Sequence, residues 1–220
     1  QEMSRGLGDV YKRQLNDSDG NPFKTRDGGT KPLGELFDET YEYIKNINSD
    51  LEDSTIKQLA NSVLTFSDLI TNRKTDYKFD LEKFTNVNGK TGIYVQYAQV
   101  RAKKLQQSIS EQKNEMESIV LSDVDKQLLS QLFMFGYFLE QSSSLNEPHH
   151  LANYLYDISN SFNQFYEHEK LSEIKDINHL SSKLYLINLF LTTSENVMFC
   201  LGMKPAVSYT HLTLPTNSGV

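Results

Sequence analysis

Cys200 is the only cysteine in the 220-residue chain. That excludes an intrachain disulfide and any multi-cysteine zinc site, and it points to a reducing, cytosolic setting. Within "NVMFCLG" the thiol reads as a small buried hydrophobe. No apolar run approaches the ~20 residues that cross a bilayer, so no membrane partner is expected. The catalytic signatures are missing too: there is no GxxxxGK[ST], no GxGxxG, no HExxH and no GxSxG. His149 and His150 are adjacent, and on a helix neighbouring side chains fan out by about 100°. They read as first-turn surface residues, and no metal site is expected. Glu167, His168 and Glu169 read as a solvent-facing helix end.

One segment also lacks charge of one sign. Val87 to Ser110 contains no Asp or Glu, although the whole chain has a formal net charge of −7. Charge is spread unevenly around it. Residues 15–70 carry 5 Lys/Arg against 11 Asp/Glu, residues 71–113 carry 9 against 4, and residues 114–204 carry 5 against 12. A basic middle between acidic flanks focuses the attraction for an anion on one region.

What is present is mostly helical periodicity. "NDSDGNPFKTRDGGTKPLG" is dense in turn-formers and reads as loop. "ELFDETYEYIKNI" and "DSTIKQLANSVLTFSDLI" carry apolar stripes, the second with Asp53 or Ser54 as its expected cap. "KTDYKFDLEKF" alternates like a short strand. From Thr91 four helical segments follow: one to about Ser110, one over "VDKQLLSQLFMFGYFLEQ", one over "EPHHLANYLYDISNSFNQFYEHE" and one over "DINHLSSKLYLINLFLTTSENVMFCLG". The last ends at Gly202. In the third, Leu151, Tyr154, Leu155, Ile158, Phe162 and Phe165 make one broad apolar face. Four such helices can share a core as an antiparallel bundle.

Two places carry chemical promise. Lys24 and Arg26 flank Thr25 on a glycine-flanked loop of the kind that can fold over a polyphosphate. On the acid-free helix, Tyr94, Tyr97 and Arg101 fall at i, i+3 and i+7 and share a face. Tyrosine rings stack on unpaired bases, and a guanidinium stacks or bonds to phosphate. The same spacing also suits two core tyrosines with an arginine reaching out beside them.

The order "GNPFKTRDGGTKPLGELFDET", "QLANSVLTFSDLITNRKTDYKFD", "GKTGIYVQYAQVR", "PHHLANYLYDISNSFNQFYEH" and a closing "LGM" resembles the C-terminal half of arginyl-tRNA synthetases across Leu15 to Lys204. The resemblance implies an all-α fold: a helical bundle of the class I synthetase anticodon-binding type, preceded by a truncated α-rich remnant of a Rossmann-type catalytic domain. It implies a catalytic-domain remnant over 15–88, with a KMSKS-like loop at Lys24, Thr25 and Arg26 and a stem-contact region. Over 89–204 it implies a DALR-type anticodon-binding domain in which Tyr94, Tyr97 and Arg101 meet the anticodon loop. "FKTR" departs from KMSKS, because Thr25 stands where the motif has its second lysine.

The family's full-length form is an arginine–tRNA ligase that uses ATP with Mg. Its implied partners are the tRNA for arginine, arginine and ATP, and it is implied to be a cytoplasmic monomer. This chain lacks a HIGH-type motif and is expected to be inactive alone. The alternative reading is a helical protein-interaction domain with no RNA role. The ends, 1–14 and 205–220, have no helical periodicity and resemble translated sequencing-library adapter, so they are expected to be non-native.

Overall fold

The computed structural model describes residues 15–16, 32–109, 118–168, 171, 174 and 176–205. Its elements are β1 (Leu15–Asn16), α1 (Leu33–Ile47), α2 (Asp53–Leu69), β2 (Tyr77–Lys78), α3 (Leu81–Phe84), α4 (Gly92–Ile109), α5 (Asp123–Phe133), α6 (Phe135–Leu145), α7 (His149–His168) and α8 (Ile177–Cys200). Lys24, Thr25 and Arg26 lie outside the described residues, as do 1–14 and 206–220.

The expected strand narrows to two residues. β2 pairs in parallel with β1, Leu15 opposite Tyr77 and Asn16 opposite Lys78. The rest of that segment turns into α3, because Asp80 caps it by accepting from the Lys83 amide at 3.1 Å. This pair is the only strand pairing among the described residues.

Helix ends follow their capping chemistry. Ser122 and Asp125 form a reciprocal capping box at the start of α5, and Asp176 caps α8 through the His179 amide at 2.8 Å. At the end of α8, Gly202 sits at φ 72°. Met203 N–H donates to the Met198 carbonyl at 2.8 Å, and Gly202 N–H to that of Phe199 at 3.1 Å. That is the hydrogen-bond pair of a Schellman end, and it needs a residue tolerant of the left-handed region. At α2 the expected cap is corrected. Glu52 is the N-cap and makes no side-chain bond. Asp53 is drawn instead into the first turn, by the Tyr41 hydroxyl at 2.5 Å and Lys57 at 2.7 Å.

The segment expected as one helix between Val124 and Gln141 breaks at Met134. Two carbonyls at the break, those of Gln131 and Leu132, accept from the Met134 amide and each also accepts from the Tyr154 hydroxyl at 3.1 Å. Phe135 and Phe138, just past the break, stack on the Tyr154 ring with centroids 6.3 and 4.9 Å away. A fully buried phenol needs acceptors, and the break supplies them. Burial also pushes that hydroxyl far above its ordinary value.

The main core gathers α5, α7 and α8 around Tyr154, Ile158, Phe162, Ile187 and Phe190, with Val95 and Ala98 from α4 and Phe66 from α2. A second cluster joins Ile44 of α1, Ile56, Leu59 and Val63 of α2, and Ile93 and Val100 of α4. The apolar stripes of α1 and α2 are mostly buried, against each other and against α4, and only the end of the α1 stripe at Ile47 faces out. Gly92 makes this possible: a Cβ there would stand 2.2 Å from the Ser62 carbonyl oxygen, so only glycine lets α4 start so close to α2.

The bundle is not uniformly antiparallel. Lys90 meets Asn153, Tyr94 meets Asn160 and Arg101 meets Asn163. Contacts that climb both helices together mean that α4 and α7 run side by side in the same direction. Gln99 meets Ser194 and Gln106 meets Asn188, so α8 runs the other way. No described helix is long and apolar enough to cross a membrane. Cys200 is exposed, not buried. The last turn of α8 turns Val197 and Met198 inward, which leaves Phe199 and Cys200 on the outer side.

Candidate nucleic-acid interface

The acid-free helix α4 lays one edge along α7, and the seam between them holds the sequence-predicted residues. Tyr97 and Arg101 are brought together. The Arg101 guanidinium lies 4.2 Å from the Tyr97 ring centroid and 4.6 Å from that of Tyr166 on α7. It donates to Asn163 Oδ1 at 3.0 Å and stands 3.5 Å from Glu167 Oε1. The guanidinium lies within cation–π range of both rings, which with the Asn163 bond holds it in place.

Beside it opens a cavity of about 310 Å³ lined by Tyr97, Val100, Arg101, Lys104, Leu105, Ser108 and Tyr166. That size is at the low end for a small-ligand pocket, roughly 300–1,000 Å³. Lys104 is exposed at its edge. Lys103, next in sequence, leaves the seam and pairs with Glu195 of α8 at 3.3 Å.

Tyr94 sits elsewhere. It is half-buried against the main core, its ring tilted on Tyr156 at 5.3 Å and its hydroxyl donating to Asn160 Oδ1 at 3.1 Å. Lys90 reaches the same place, 5.2 Å from the Tyr156 centroid, and donates to Asn153 Oδ1 at 3.0 Å. The seam therefore has two cation–aromatic stations, one around Tyr156 and one around Arg101. Burial pushes the Asp157 carboxyl up at the first station, with Lys90 partly offsetting it.

Sequence reasoning missed Tyr166, Asn163, Tyr156 and Lys90's role. Tyr166 follows the last core residue of the α7 stripe, Phe165, and Asn163 precedes it by three. That i, i+3 polar–aromatic flank was the available signal. An acid-free segment also does not make an acid-free site, since α7 brings Glu167 to Arg101. At the other end of α7, the two histidines depart from expectation: their rings lie against each other, tilted, with centroids 4.1 Å apart, half-buried. The 100° fan describes Cα–Cβ directions, and rotation about the side-chain bonds reunites the rings.

A helical domain with cationic and aromatic side chains converging in an open cavity has the chemistry of a nucleic-acid contact surface. Residues 95–208 match the family model described as "DALR anticodon binding domain", and the chain belongs to that family.

Over 171 residues the chain is 36% identical to an arginine–tRNA ligase of Francisella tularensis subsp. novicida, covering 74% of this chain and 29% of that protein. Over 201 residues it is 33% identical to the arginine–tRNA ligase of Alcanivorax borkumensis, covering 87% of this chain and 34% of that protein. The chain thus spans about a third of the length of these relatives. The fold is similar to that of Thermus thermophilus arginyl-tRNA synthetase, with a TM-score of 0.76 at 19% identity over 90% of this chain and 35% of that one. Plasmodium falciparum arginyl-tRNA synthetase gives 0.67 at 24% identity over 82% and 34%.

Proposed function

We propose that the chain is the anticodon-contacting part of an arginine–tRNA ligase, with the Tyr97–Arg101–Tyr166 stack as the place where an unpaired base of the anticodon loop is held. The observation that carries this is the guanidinium within cation–π range of two tyrosine rings at the rim of an open cavity. Tyr97 and Tyr166 offer stacking surface, Arg101 and Lys104 the positive charge, and Tyr94 supports the seam from within. The parent enzyme joins arginine to its tRNA at the expense of ATP with Mg, working as a cytoplasmic monomer. Lys24, Thr25 and Arg26 form its phosphate-contacting loop, and residues 15–88 are the end of its catalytic domain. This piece binds tRNA and does not catalyse. The rival, a protein-interaction domain without RNA, draws no support from the relatives.

The test is a footprint of the chain on the tRNA for arginine, paired with Tyr97→Ala. Stacking on an aromatic ring is worth about 1–3 kcal/mol per base, so the substitution should weaken binding about 5- to 150-fold with the fold retained. Absence of protection in the anticodon loop, or a Tyr97→Ala protein that melts early yet binds normally, defeats the proposal.

A further inference from the structure

The turn between α6 and α7 holds a group of side chains that the RNA-contact reading does not use. α6 closes on Asn146 at φ 52°, with the Glu147 amide donating back to the Ser142 carbonyl at 3.0 Å. α7 begins at His149. The connection is therefore three residues long, fixed at one end by a helix-terminating hydrogen bond and at the other by the ring of Pro148. It holds Glu147 beside both histidines. One donor atom from each of Glu147, His149 and His150 lies within 4.8 Å of the other two. His150 Nε2 stands 3.4 Å from Glu147 Oε2, with the two side chains only 25% and 12% exposed.

One nitrogen here has no hydrogen-bond partner, the buried His149 Nδ1, and the other, the buried His150 Nε2, has only the Glu147 carboxylate beside it. A buried polar atom left unmet costs about 1–3 kcal/mol. Two imidazole lone pairs and a carboxylate are the donor set that borderline divalent ions take.

We propose that Glu147, His149 and His150 form a binding site for a divalent ion of the zinc type, with one oxygen and two nitrogens from the protein and water completing the sphere. Bonds of about 2.0–2.1 Å set tetrahedral donors roughly 3.3 Å apart, so the rings must swing inward by about 1 Å on loading. Lys74 opposes the ion. Its Nζ lies 3.1 Å from Glu147 Oε1, and its side chain is 61% exposed. An incoming cation takes over the carboxylate and releases Lys74 to solvent. The site is therefore weak, and it has a signature: removing Lys74 strengthens a cation site, whereas it would weaken an anion site at the same place.

The experiment is calorimetric titration of the whole chain with zinc chloride, repeated with inorganic phosphate. One zinc ion per chain is expected in the micromolar range. His149→Ala and Glu147→Gln should each weaken it by at least the roughly 10-fold that loss of an outer-shell partner costs, and Lys74→Met should tighten it several-fold. Saturable phosphate binding that Lys74→Met weakens would mark the site as anionic and overturn the proposal. So would the absence of saturable zinc binding, or zinc binding that survives both ligand substitutions. Lys74 is a surface residue, so its variant folds even where a histidine variant does not, and an unchanged zinc affinity in Lys74→Met also defeats the idea. None of these readouts involves RNA.

Discussion

Arg101 is held by four neighbours of unequal strength. Asn163 is buried and the two rings are fixed by α4 and α7, but Glu167 is 69% exposed on its side chain. An exposed ion pair contributes only about 0–1 kcal/mol, so Glu167 is the partner a phosphate can replace. Glu167→Gln should leave the melting temperature nearly unchanged and tighten tRNA binding modestly, with a steeper dependence on salt. A binding loss on that substitution would mean that the carboxylate itself contacts the RNA.

The opposite case is Lys183, which is 1% exposed and donates to both oxygens of the fully buried Asp125 at 2.7 Å. Lys183→Met strands a buried carboxylate and should cost about 3–5 kcal/mol, whereas removing both partners together should cost far less. Denaturant unfolding of the two variants measures this. His149 gives a pH dependence. Its folded pKa lies below the ordinary 6.5, from burial first and then from His150 and Lys74, with Glu147 opposing. Stability tied to it is therefore complete above pH 6.5 and is lost as pH falls through the lower folded value. Melting temperature should drop over that window more steeply in the native chain than in His149→Gln. Parallel profiles would show that the imidazole titrates alike in both states.

Between elements, close approach matters more than propensity. The Gly92 position, with a substituted Cβ 2.2 Å from Ser62 O, 2.6 Å from its carbon and 2.9 Å from Val63 N, has only backbone facing it. Gly92→Ala therefore cannot be absorbed by a side-chain rotation and should lower stability by about 1–3 kcal/mol, as overpacking does. If Gly92→Ala melts with the parent, α4 and α2 are free to part, and the second cluster is looser than its burial indicates.

The same scale shows which parts of the fold the chain's periodicity discloses. The α7 stripe is legible because Leu151, Tyr154, Leu155, Ile158, Phe162 and Phe165 all point one way, and all are buried. The break at Met134 is not legible. The break meets the hydroxyl of Tyr154, on another helix, and no local pattern encodes that contact. Cys200 misleads for a similar reason: apolar neighbours on a helix do not say which of them faces out. At the candidate site, α4's residues stand out by their missing acids, whereas Tyr166, Asn163 and Glu167 come from a helix whose dominant signal is its core.

Taken whole, the molecule divides less cleanly than its resemblance to two consecutive regions suggests. A boundary at 88/89 would run between α3 and α4, yet α4 contributes Ile93 and Val100 to the cluster that α1 and α2 build, and α2 sends Phe66 into the main core. Gln96 ties the two sides together again. Its amide donates to Ser62 Oγ at 2.8 Å on α2 and to the Lys204 carbonyl at 2.7 Å beyond α8. Gln58 of α2 reaches the same carbonyl at 2.9 Å and that of Pro205 at 2.7 Å.

A piece beginning at 89 would lose Ile56, Leu59, Val63 and Phe66 from their burial, each worth about 1.5–3 kcal/mol. The sum, roughly 6–12 kcal/mol, matches the whole stability of an ordinary domain, about 5–15 kcal/mol. Residues 89–205 expressed alone should therefore fail to melt cooperatively and should bind a hydrophobic dye, whereas residues 32–205 should unfold in one step. Phe66→Ala in the longer piece should cost about 3–5 kcal/mol and shift near-UV and far-UV transitions together. A shorter piece that melts sharply within a few degrees of the longer one would show that the α1–α2 pair is an accessory, and that the two clusters unfold independently.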